Sequence, residues 1–391
     1  MNNNNTIYKD SPLGKIPGDW EVKRLGEVCT TFKSGYGITS EEIYVNGEYA
    51  VYGGNGLRGY TNKYTHEGIY FLIGRQGALC GNIVRVFGKN YISEHAIAVQ
   101  TDNKNDNSFL AYKLDFQNLN RLSESSAQPG LSVEKLIRLK IALPPFPEQK
   151  AIAHILGLMD TAINKNNQLI AKKELQKKWL MQNLLTGNKR LGGFDNEKWK
   201  IKLIEDVLIP VSRPVDKPLS SFLALGIRSH GKGTFLKYDF EPGKIDMDTL
   251  FEVRENDLIV NITFAWEGAI AIVNKEDEGA LVSHRFPTFT FNPENGIIDY
   301  FRHYILQPKF KYLMDLISPG GAGRNRVLSK KDFLKLEVKI PSPKEQTAIG
   351  RVLQVADKEI QLLKTKTEKL REQKKGLMQV LLTGKKRLVI N

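Results

Sequence analysis

The side chains best suited to chemistry in this chain are arginines, lysines and carboxamides set among glycines. In the first third they include Tyr36, Asn55, Arg58, Lys63, Arg75 and Gln76, with a further loop at Ser126-Ala-Gln128-Pro-Gly130. In the second half they are Arg228, His230 and Lys232 in one short loop and Arg324, Asn325 and Arg326 in a glycine-rich one. Glycine lets a backbone approach a ligand closely. A guanidinium or ammonium binds phosphate or forks onto guanine, and a carboxamide grips adenine through two hydrogen bonds. These twelve residues are therefore candidates for contact with nucleic acid, against the plainer reading that they lie on ordinary surface loops.

Strings with the look of catalytic or cofactor motifs fail on their context. Gly54-Asn-Gly56-Leu-Arg-Gly59 has dinucleotide-loop spacing, but Tyr60-Thr-Asn-Lys-Tyr64 follows it as a turn and supplies no helix N-terminus for a pyrophosphate. Gly226 to Lys232 has the spacing of an ATP-binding loop, yet Gly233 occupies the place of the Ser or Thr that would ligate Mg²⁺. Leu143-Pro-Pro-Phe146 is one residue away from the N-P-P-F string of amino-methyltransferases, and Leu143 cannot accept hydrogen bonds from an amine. The six histidines have no ligand spacing. Cys29 and Cys80 stand apart as core thiols, so no metal, disulfide or cofactor is expected.

The elements that must position the candidate loops come twice. Glu148 to Leu191 returns as Glu345 to Leu388 with 21 of 44 positions identical, at a constant offset of 197 residues. Trp20 pairs with Trp199 at an offset of 179, so the second front segment is longer, and the fronts share little beyond Ser93-Glu94-His95-Ala96 against Ser283-His284-Arg285. Asp332, Glu337 and Lys339 would suit a nuclease site, but the first copy has Lys135, Lys140 and Ala142 there. No catalytic group emerges from either copy.

Each front reads as α+β, with strands near Ile69–Ile73, Ile83–Phe87, Leu258–Ile262 and Phe286–Phe291 and helices near 108–122 and 298–317. Pro144, Pro145 and Pro147, then Pro341 and Pro343, close the fronts. Beyond them apolar residues recur at heptad spacing and each run ends at Thr-Gly, Thr186-Gly187 and Thr383-Gly384, which predicts two helices roughly 60 Å long. Helices with one apolar seam need a partner. The economical arrangement is an antiparallel coiled coil between them, an α+β fold with an internal pseudo-twofold repeat, and pairing with other subunits is the rival arrangement.

The net charge of +14 lies almost wholly in these two helical segments, while the fronts are close to neutral, so fronts that bind a polyanion must do so through local clusters. Because the helical backs are basic and lack catalytic residues, removing residues 370–391 is expected to harm assembly more than folding of the first front. No apolar run approaches membrane-spanning length and Met1 to Gly14 lacks an apolar leader, which leads us to expect a cytoplasmic protein.

The duplicated frame P-P-F-P-E-Q-K-A-I (Pro144 to Ile152) and P-S-P-K-E-Q-T-A-I (Pro341 to Ile349), each helix closing on L-L-T-G, resembles the specificity subunit of Type I restriction-modification enzymes. The resemblance covers the chain from about Trp20. It implies target recognition domains at residues 1–143 and 191–340, each reading half of an interrupted, asymmetric site in double-stranded DNA. It also implies helical spacers at 144–190 and 341–391 that dock methylation (M) subunits, with restriction (R) subunits in the full complex and no catalysis by this chain alone. A coiled-coil adaptor whose globular ends bind proteins is the alternative, and the Gly, Asn and Arg loops of both fronts favour DNA.

Overall fold

The computed structural model describes residues 7–77, 79–123, 130–320 and 326–388. The chain forms two compact units: residues 1–167 with 365–391, and residues 168–364. Two helices of 39 residues each, Phe146–Leu184 and Pro343–Leu381, run from one unit into the other.

In the first unit a mixed six-stranded sheet has the order Cys29–Ser34, Ala96–Thr101, His66–Gly74, Ile83–Ile92, Tyr49–Gly53, Gly56–Thr61. The alternating Val/Ile/Phe positions of its central strands are buried against helix Asn107–Phe116 and the long helices. In the second unit a four-stranded antiparallel sheet has the order Leu208–Val211, Thr288–Phe291, Leu258–Val260, Ile270–Ile272, matching the first four strands of the other sheet. A separate five-stranded sheet accompanies it, with residues from Pro214 to Val282. Strand Glu21–Arg24 pairs with Lys140–Leu143, and Lys200–Leu203 pairs with Glu337–Ile340, in matching register. The single helix expected over 298–317 is two, Ile298–Tyr304 and Pro308–Leu316. Pro308 has no N–H to carry the first through and starts the second instead.

Within each unit the two long helices run antiparallel. In the first, Asp160 bonds Lys374 (2.6 Å), and Ile152 and Leu156 share a core with Met378, Leu381 and Leu382. In the second, Lys177 pairs with Asp357, Lys173 with Glu359 (2.8 Å) and Glu174 with Lys364 (2.7 Å), over a core of Leu184, Leu185, Ile349 and Leu353. The exposed pairs among these, such as Glu174–Lys364, add at most about 1 kcal/mol each, so the apolar seam holds the helices and the charges select direction. Because Met378, Leu381 and Leu382 belong to the first unit's core, loss of residues 370–391 would strip that core. The same deletion is therefore expected to cost the first front stability as well as assembly.

The repeated Glu-Gln pairs are explained by burial. Glu148 accepts from Arg387 (2.7 Å) and Trp20 Nε1 (3.3 Å), and its repeat Glu345 accepts from Arg190 (2.5 and 2.6 Å) and Trp199 Nε1 (3.1 Å). Both carboxylates are buried, and each faces a guanidinium. The neighbouring Gln149 accepts from Asp106 N (2.8 Å) and donates to Pro144 O, as Gln346 accepts from Ile297 N (2.9 Å) and donates to Pro341 O. Gly187 and Gly384 end the helices with φ near +76° and +73°, each against its tryptophan, where a side chain would be strained and, at Gly384, would also collide with Pro17.

These anchors put further residues in correspondence, and there the two units differ. Counting from the Gln contacts, Tyr112 corresponds to His303. From the strand registers, Arg85 opposite Phe71 corresponds to Ile272 opposite Leu258. In the first unit Arg85, Tyr112 and Lys374 each reach Asp160 at 2.6 Å. Burial works to raise the Asp160 pKa, but those three hydrogen bonds overturn it and hold the carboxyl below its usual value.

In the second unit Ile272 stands at the position of Arg85. Ile272, His303, Lys177 and Asp357 line a cavity of about 270 Å³. His303 Nε2 stands 3.6 Å from Asp357, and its buried Nδ1 has no hydrogen-bond partner among the described residues. Burial pushes the imidazole pKa down to about 4, with Asp357 and Asp299 opposing and Lys177 and Arg302 reinforcing the shift. An unfolded histidine titrates near 6.5, so unfolding takes up a proton between these values. His303 therefore costs nothing above about pH 6.5 and lowers the second unit's stability progressively as pH falls towards 4. Urea titrations at pH 7 and pH 5 check this: the wild type should lose more stability than His303→Tyr, and equal losses would contradict it.

Candidate nucleic-acid interface

In the first unit, tertiary structure gathers candidates that are scattered in sequence. The glycines of Gly54–Gly59 form a β-hairpin, not a phosphate loop: Gly53 pairs with Gly56 across the turn Gly54-Asn55, leaving Asn55 exposed at its tip. A Cβ on Gly54 would lie 2.7 Å from His95 O and 3.2 Å from Gly74 Cα, so only glycine lets these three chain segments meet. Arg75 follows directly, donating its N–H to His95 O (2.9 Å), and the Gln76 carboxamide oxygen lies 3.1 Å from His95 Nδ1. Tyr36, half exposed, is bridged to Ser93 and accepts the Glu94 N–H (3.0 Å). The Arg58 stem crosses Gly53 beside the buried Ser93.

Tyr36, Asn55, Arg58, Arg75 and Gln76 thus surround one corner, Ser93-Glu94-His95. Lys63 is engaged by Glu42 and lies 5.6 Å over the Tyr91 ring. His95 was not among the candidates, although the likeness of Ser93-Glu94-His95 to Ser283-His284-Arg285 was its signal.

In the second unit Arg228 begins a turn closed by Arg228 N to Gly233 O (2.9 Å), and its guanidinium donates to Thr234 O (2.7 Å) over the Phe235 ring. This places Gly226 and Lys232 on a strand and a hairpin turn, not on an ATP loop. His230 takes a left-handed conformation (φ 63°) because the next segment pins it: His230 N donates to Glu267 O and Gly231 N to Gly268 O, both 2.9 Å. Lys232 is exposed. Arg326 is tied down, ion-paired to Asp315 (2.7 Å), donating to Ser318 O (3.0 Å) and lying 5.1 Å from the Trp266 ring centre. Segment Ala265–Gly268 therefore links the two clusters, and Trp266 and Glu267 are parts that sequence reading missed. Arg324 and Asn325, like Ser126 to Pro129, lie outside the described residues.

Residues 17–175 and 243–372 match the model of the Type I restriction modification DNA specificity domain. The chain belongs to the Type I restriction-modification specificity family. A specificity subunit of the EcoprrI enzyme of Escherichia coli is 40% identical over 163 residues, 40% of either chain. The putative MjaX specificity subunit of Methanocaldococcus jannaschii is 25% identical with 97% of both chains aligned. The crystal structure of the Type I system S subunit from M. genitalium has the same fold, with a TM-score of 0.65 at 15% identity over 100% of this chain and 99% of that one.

Among the described residues no group of three His, Cys, Asp or Glu side chains is placed to hold a metal, and no helix is long and apolar enough to cross a membrane. Cys80 is buried and Cys29 half-buried, and burial pushes the Cys29 thiol up to about 12, so it is unreactive.

Proposed function

We propose that this specificity subunit reads an interrupted, asymmetric site in double-stranded DNA. The segments 1–143 and 191–340 act as the two target recognition domains, and 144–190 and 341–391 as spacers that dock methylation subunits. Restriction subunits join the assembly, and methyl transfer and cleavage belong to the partners. The observation that carries this reading is one backbone frame present twice and dressed with different side chains at the same corner. Such a pair recognises two different half-sites through equivalent geometry.

The spacer role has a direct test. The pair Asp160–Lys374 sets the antiparallel register, so seven residues inserted after Lys165 must be matched by seven after Lys369 to keep the seam in phase. Seven residues add about 10 Å of helix, or about three base-pair steps. The complex assembled with its methylation partners is expected to keep both half-sites and lengthen the gap between them. Methylation of the parental spacing alone by the lengthened protein would count against the spacer role.

A further inference from the structure

The corner at Ser93–Ala96 has a twin that sequence comparison only hinted at. In the first unit Ala96 N donates to Ser93 O (3.0 Å), Arg75 N to His95 O (2.9 Å) and Leu131 N to Arg75 O (2.9 Å). In the second, Phe286 N donates to Ser283 O (3.0 Å), Ile262 N to Arg285 O (3.0 Å) and Leu328 N to Ile262 O (2.9 Å). Three successive backbone hydrogen bonds repeat, and Leu131 and Leu328 stand at the 197-residue offset of the helices. Ser93 therefore corresponds to Ser283, His95 to Arg285 and Arg75 to Ile262. The two corners are the same place in the fold.

What the corner carries differs. His95 is exposed, its ring nitrogens facing the Gln76 carboxamide (3.1 Å) and the Glu94 carboxylate (3.1 Å). Arg285 is exposed too, and among the described residues its guanidinium enters no ion pair and no side-chain hydrogen bond. Both side chains leave a backbone held at the carbonyl and by an i to i+3 turn, so little backbone entropy remains to be lost on binding. A phosphate contact would be served by the same cation in both units, since phosphate is alike at every base pair. Different polar side chains at one fixed position are what base reading requires.

Resting on the function proposed above, we infer that His95 and Arg285 are paired base-reading residues, one for each half-site. Arg285 has the fork that fits the O6 and N7 acceptors of guanine. His95, steadied by Gln76, makes the corresponding contact in the other half.

The test uses the intact chain assembled with its methylation partners and a site recovered by selection from random duplexes. Competition binding at fixed salt is read against every single base-pair change in both half-sites, for Arg285→Ala, Arg285→Lys and His95→Ala, with thermal melting as the check on folding. Arg285→Ala should reduce discrimination at one base pair of one half-site at least tenfold and leave the other half-site unchanged. Lysine, which keeps the charge without the fork, should not restore it. His95→Ala should relax one position in the opposite half-site. Equal weakening on all duplexes, or unchanged discrimination in variants that melt like the wild type, overturns the inference. If the wild-type complex itself shows no preference among half-site variants, it is the proposed function that fails.

Discussion

Replacing Arg190 by alanine is expected to destabilise the second unit by about 3–5 kcal/mol, because it leaves the fully buried Glu345 carboxylate facing only the Trp199 N–H. The cost comes from the stranded charge, not from the pair's intrinsic strength. Taking both partners away, as Arg190→Met with Glu345→Leu, should therefore recover a large part of the loss. Arg387→Ala should act similarly on the first unit, where it strands Glu148 and also frees Asp19, which receives two 2.7 Å hydrogen bonds. Denaturant unfolding of the full-length single and double variants checks this. A double variant no more stable than Arg190→Ala would show that the loss lies in packing.

The second large effect belongs to Arg75. It sits where Gly54, Gly74 and His95 bring three segments together, and among the described residues its guanidinium enters no ion pair. If it forks onto guanine, Arg75→Ala should cost about 1–3 kcal/mol of discrimination at one base pair, roughly 5-fold to 150-fold. Lys63→Ala should change binding modestly and evenly, since Lys63 already spends its charge on Glu42. Arg326→Ala should instead disturb its own loop, because Asp315, Ser318 and Trp266 hold that side chain. Binding to a panel of half-site variants at fixed salt, with melting temperatures alongside, separates the three. Uniform weakening on loss of Arg75 would make it a phosphate contact.

Several features of this molecule are one-dimensional and therefore readable from residue order. Duplication preserves spacing, so the 197-residue offset exposed the repeat. Heptad periodicity with Thr-Gly stops defined the long helices, whose hydrogen bonds are local. Alternating β-branched runs located the central strands for the same reason. Other features depend on which distant segments pack together. Glu148 and Arg190 lie in one repeat, yet Glu148 bonds Arg387 and Arg190 bonds Glu345. A 39-residue helix is far too long for its two ends to meet, and only the antiparallel partner brings the opposite charge to each buried carboxylate. Likewise Tyr36, Asn55, Arg75 and Gln76 are separated by strands, and only sheet order and the close passage of two glycines draw them around His95. The correspondence of His95 with Arg285 is carried by backbone hydrogen bonds, which side-chain identity does not record.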